Sequence, residues 1–176
     1  MTIPFLTRSP EPPGDPVDPT FVINAPPYTH RSSGIRALYR LCHHLNAYGY
    51  SCAMQVVERV ETPPSWNVRY YDGPIRDGIA IYPEIVSGNP LGASKVVRWV
   101  LNKPGLLAGD TVYAPDEMVF VYDPQRLEDA SRAAGTQLGP ARVVWLGLVD
   151  PAHIYPDPKV PKTLVVSFSH KGRALS

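Results

Sequence analysis

The chain predicts an α/β fold, a mostly parallel sheet with helices on both faces in a single domain, and three observations carry that expectation. A short apolar, β-branched run leads through a helical stripe to a second apolar run, all in under 40 residues. The alternation of strand-like and helix-like segments recurs more loosely downstream. Nothing marks a second folded domain, and 176 residues are about one domain's length.

The elements follow in order. Residues 1–18 contain "SPEPPGDPVDP", too proline-rich and polar to pack, and are expected as an extended arm before an α/β domain over 19–176. "TFVIN" (20–24) reads as a buried strand stopped by Ala25-Pro26-Pro27. From Ser33 the period changes: Ile35, Leu38, Leu41, Cys42 and Leu45 form one helical stripe. Ser32 or Ser33 suits its N-cap and Gly49 its C-terminal stop. "SCAMQVV" (51–57) is the next strand. "GIAIYPEIV" (78–86) is a strand entering a turn, and "SGNPLG" (87–92) is a loop.

"ASKVVRWVLN" (93–102) is expected to be helical, with Val96, Val97, Val100 and Leu101 on its apolar face and Lys103-Pro104-Gly105 ending it. "EMVFVY" (117–122) reads as a strand and "PQRLEDASRAAG" (124–135) as a short helix. "ARVVWLGLV" (141–149) and "KTLVVSFS" (162–169) are expected to be two more strands.

Composition narrows the partners. Hydrophobic content of 44% with 19% charged residues is ordinary for a soluble globular chain. A net charge of +1 argues against a dedicated nucleic-acid or anionic-membrane partner. The 21 prolines, against an average of about 5% of a chain, predict short, stiff connections. Cys42 and Cys52 do not make a disulfide framework. The start "MTIPFLTRSPEPPGDP" lacks the features of a secretory signal, and no run approaches the ~20 apolar residues of a transmembrane segment. A cytoplasmic, reduced protein is the expectation.

In an open parallel sheet, ligands bind beyond the carboxyl ends of the strands. Three unusual loops leave strand ends here: Pro26 to Gly34, Pro83 to Gly92, and the surroundings of Tyr122-Asp123-Pro124. In the first, Ser32, Ser33 and Gly34 open a helix, where free N–H groups and the macrodipole favour an anion. His30 and Arg31 add donors, and Tyr28 suits stacking on a ring. The pattern is neither a dinucleotide fingerprint nor a P-loop. Arg36, Arg40, His43 and His44 form a basic face opposite the Leu stripe.

In the second loop, Glu84 follows a strand end, where its carboxylate suits sugar hydroxyls or a base role. Gly88-Asn89-Pro90 makes a tight turn, with Asn89 either capping it or bonding a ligand. Asp116, Glu117 and Asp123 are further carboxylates, read first as structural. The spacing of Cys42, His43, His44 and Cys52 does not fit structural zinc patterns, so no metal site is expected.

"GIRALYRLCHHLNAYGYSCAMQ" resembles the opening of nucleotide-sugar glycosyltransferases of the two-Rossmann (GT-B) type. "IAIYPEIVSGNPLGASKVVRWVLNKPG" is the more specific match, similar to a run in rhamnosyltransferase-like and other polysaccharide-building glycosyltransferases. "DEMVFVYDPQ" and "VVWLGLVDPAHIYP" continue in the same order, so the resemblance spans about residues 20–170.

It implies a Rossmann-like, N-terminal, acceptor-side half of a metal-independent enzyme, with a nucleotide-sugar as donor substrate, no other cofactor, and a sugar or other hydroxyl as acceptor. It carries over Gly34, Arg36, Pro83, Glu84, Gly88, Asn89 and Pro90 as motif positions, with Glu84 as the catalytic group. The donor half of such enzymes has no counterpart after "LVVSFSHKGRALS", so a partner chain or homodimer is expected to complete the cleft. The alternatives are a non-catalytic carbohydrate- or nucleotide-binding module and, disfavoured by the net charge, a phage-type DNA sugar-modifying enzyme.

Overall fold

A computed structural model describes residues 19–147 except 76; the arm expected at 1–18 and the strand expected at 162–169 lie outside the described residues. The core is a five-stranded sheet in the order β2-β1-β3-β4-β5, with β1 at Phe21–Asn24, β2 at Cys52–Gln55, β3 at Ile79–Pro83, β4 at Lys95–Val100 and β5 at Met118–Val121. Every pairing is parallel. This is a doubly wound α/β order, and it reverses direction between β1 and β3.

Helix α1, Ser33–Ala47, makes the crossover from β1 to β2. Ser32 caps it, its Oγ accepting the Ile35 N–H at 3.4 Å, and Gly49 follows its end at φ 87°, a left-handed angle that suits glycine. Ala37, Leu38, Tyr39 and Cys42 pack on Ile23, Met54, Ile81 and Trp99 of one sheet face. Asn46 locks the helix end to β2: its Nδ2 donates to Cys52 O at 2.9 Å and its Oδ1 accepts from Cys52 N at 2.8 Å. On the other face, α2 (Leu127–Ala134) buries Ala130 and Ala133 against Val100, Val119 and Val121. Helices therefore cover both faces, as predicted.

Two expectations are corrected. Residues 93–102 are not a helix: Lys95–Val100 is strand β4, paired with β3 from Ile79↔Lys95 to Pro83↔Trp99 and with β5 from Val97↔Met118 to Val100↔Val121. The apolar run satisfies either period over so short a length, and β-branched valines buried between two neighbours favour the strand. Alternation then sends Trp99 toward α1 and Val100 toward α2, with Arg98 on the α2 face. The second correction concerns 141–149. Pro140–Arg142 is a 3-10 turn, after which Val143 makes a single parallel bridge to Val121 rather than a strand. Proline lacks the N–H that a ladder needs, and here it opens the turn instead. Residues 148 and 149 lie outside the described part.

The β3–β4 and β4–β5 connections hold no helix among the described residues. No helix among those residues is long and apolar enough to cross a membrane.

Candidate functional site

The carboxyl ends of β1, β3, β4 and β5 converge on a crevice at the point where strand order reverses, the expected ligand position in such a sheet. Its main cavity, ≈ 710 Å³, is bounded by Arg31, Ser33 and Gly34 on one side and by Glu84, Asn102 and Arg126 on the other. A smaller adjoining cavity of ≈ 190 Å³ reaches Tyr122 and Asp123. Pro26 and Pro27 end β1 because neither can donate to a ladder, and the chain then turns into α1. Ser33 and Gly34, in the first turn of α1, thereby line the crevice at the positive end of the helix dipole. A Cβ on Gly34 would meet Leu101 Cδ1 at an ordinary 3.7 Å.

Glu84 is the buried acid of the crevice, only 4% exposed. Its Oε2 accepts the Leu101 N–H at 2.9 Å, which fixes the carboxyl against the end of β4. Burial pushes its pKa above the ordinary value, against the opposing pull of backbone N–H groups and the Arg126 charge. A carboxyl so placed holds a proton more readily than a solvated one. Gly109 makes this packing possible: it adopts φ 81°, and a Cβ there would lie 1.9 Å from the Glu84 carbonyl oxygen.

The remaining residues singled out in the sequence fall into three groups. Ser33, Gly34, Pro83, Glu84 and Asp123 line the crevice or its annex. Asp123 also caps the turn Pro124–Arg126, its Oδ1 accepting from Gln125 N at 2.8 Å. Tyr28 and His30 do not line it: Tyr28 meets Tyr39 and Trp66 edge-on at 5.2 and 5.9 Å, and His30 is exposed. Arg36 is half-buried, and with Arg40 its positive charge acts on Tyr122.

Gly88 and Asn89 are bound into the loop itself. Asn89 Oδ1 accepts from Tyr82 OH at 2.8 Å and Ala93 N at 3.1 Å, while its Nδ2 donates to Ala93 O at 2.8 Å. Gly88 N donates to Asp110 Oδ2 at 2.6 Å, and its carbonyl accepts from Arg98. The face read as uniformly basic is divided too, since His43 stacks on Trp66 and its Nδ1 accepts the Asn67 N–H at 2.9 Å.

Two arginines escaped the sequence reading. Arg126 lines both cavities; its signal was its position one turn beyond Tyr122-Asp123-Pro124. Arg98 is fully buried. It grips Glu117 with two bonds of 2.7 and 2.9 Å, donates to Val86 O at 2.6 Å, and lies over the rings of Tyr82 and Tyr113. Arginine in an apolar run was hidden by the helical reading of 93–102. Among the described residues no group of three or more His, Cys, Asp or Glu is placed to hold a metal.

Comparison with family models finds no match for the chain, and searches of curated proteins and of solved structures find none either.

Proposed function

We propose that the chain is the acceptor-side half of a metal-independent nucleotide-sugar glycosyltransferase. One observation carries the reading: at the switch point, the N-terminus of α1 with Arg31 and Arg126 shares a crevice with the buried acid Glu84. The first group suits a diphosphate, through N–H donors, the helix dipole and guanidinium charge. The second suits a hydroxyl. In transfer, the acceptor oxygen bonds to the anomeric carbon as the bond from that carbon to the phosphate oxygen breaks. The hydroxyl proton passes to Glu84, and the developing phosphate charge meets the Ser33 and Gly34 N–H groups and Arg126.

The bond between Glu84 Oε2 and Leu101 N–H favours a second reading, in which the acid shapes the crevice and the chain binds a carbohydrate or nucleotide without turnover. Titration calorimetry with UDP-, dTDP- and GDP-sugars tests the first reading. At least one is expected to bind, at least tenfold more weakly to Arg126→Ala, and Glu84→Gln is expected to bind it while losing transfer or hydrolysis. Binding without turnover in the unaltered chain would select the second reading. Failure of all three donors to bind would remove both the diphosphate role of α1 and the donor side of the proposal.

A further inference from the structure

A second cavity opens on the same edge of the sheet, beyond β2 and apart from the crevice. It measures ≈ 260 Å³ and is lined by Gln55, Asp72, Gly73, Ile75, Pro90 and Leu91, among others. Gln55 is the last residue of β2 and stands in register with Asn24 of β1, so two amides end strands that are otherwise largely apolar. The Gln55 Oε1 is buried and has no hydrogen-bond partner. Buried polar atoms are normally satisfied, and one left open beside a cavity marks a position that a ligand can complete. The terminal torsion of Gln is broad, so a small turn of the amide brings that oxygen to an incoming donor.

The chemistry of the walls selects the ligand. Asp72 is already paired with Arg59, which offsets its charge and weakens its pull on an added cation. A carboxamide both donates and accepts, and a carboxylate accepts, which is what a hydroxyl group needs. Ile75, Pro90 and Leu91 complete a lining whose exposed surface is mostly polar, which suits a small ligand rich in hydroxyls. We infer that this cavity is a subsite for a neutral pyranose ring, with Gln55 and Asp72 bonding its hydroxyls. The inference stands on this cavity alone and does not require the crevice to bind a nucleotide-sugar.

The test is a titration of the ¹⁵N-labelled full chain with methyl glycosides of glucose, galactose, mannose, rhamnose and N-acetylglucosamine, with methylammonium and inorganic pyrophosphate as separate arms. At least one glycoside is expected to shift the amide signals of Gln55, Gly73, Ile75 and Leu91 saturably. Gln55→Leu is expected to weaken that binding at least fivefold, without changing the response of Ser33 and Gly34 to pyrophosphate. Asp72→Asn lies on the exposed rim and gives the same comparison if Gln55→Leu does not fold. No saturable shift with any glycoside, shifts confined to the crevice amides, or methylammonium binding in their place would each overturn the assignment. The pyrophosphate arm reads the crevice separately, so failure of one site is distinguishable from failure of the other.

Discussion

The loops that leave β1 and β3 look alike in sequence, each holding proline and polar side chains, yet they are built on opposite principles. The loop after β3 is knit from within. Asn89 spends its amide on Tyr82 and Ala93, and the buried Arg98 clamps Val86 and Gly88 while gripping Glu117. The loop before α1 holds itself with far less: the Ser32 cap, one bond from Arg31 N to Thr29 Oγ1 at 3.3 Å and the Tyr39 hydroxyl on Pro26 O at 3.1 Å. Ser33 and Arg31 are left exposed at the crevice. A polar loop is therefore a site only where its polar groups have not already found each other. Glu84 sits at the boundary, tied to Leu101 on one side and bordering the crevice on the other.

Arg98→Met strikes the clamp of the β3 loop most directly. It leaves Glu117 buried without its charge partner, and a loss of about 3–5 kcal/mol in urea unfolding is expected. A loss below about 1 kcal/mol would mean that the clamp does not hold the loop. Asn89→Ala comes next, with about 1–3 kcal/mol expected from the unpaired Tyr82 hydroxyl and Ala93 backbone groups. An effect on ligand affinity with stability unchanged would reverse the contrast between the loops.

Glu84 gives a pH test. Its folded pKa lies above the ordinary value of 4.5, so its contribution is full below the unfolded pKa and is lost as pH rises through the folded one. Stability measured across that window should decline less in Glu84→Gln than in the unaltered chain. An equal decline would show that Glu84 does not titrate with a raised value. Smallest of all, Arg126→Ala should change unfolding free energy by no more than about 0.5 kcal/mol, since its pair with Asp129 at 3.8 Å is partly exposed. A larger loss would place Arg126 in the scaffold rather than at the crevice.

Much of the fold was legible because local chemistry and tertiary packing agree. The stripe Ile35, Leu38, Leu41, Cys42 and Leu45, the Ser32 cap and Gly49 all predicted α1, and each needs only its neighbours in the chain to be read. The carboxyl-edge position of Ser33, Gly34 and Glu84 followed from strand direction alone. The valines of 93–102 carry no decisive period, and only pairing with β3 on one side and β5 on the other makes the run a strand. For the same reason Arg98 was invisible: its partners Glu117, Val86 and Gly88 meet it only once the sheet is assembled.

The α/β class, the β1–α1–β2 unit with its caps, and the sheet edge where polar loops gather all depend on periodicity and on the chemistry of adjacent residues, so the chain's own order specifies them. Which polar groups are spent and which remain open depends on the assembled fold. Satisfying a buried donor or acceptor is a long-range event, and sequence neighbours do not record it.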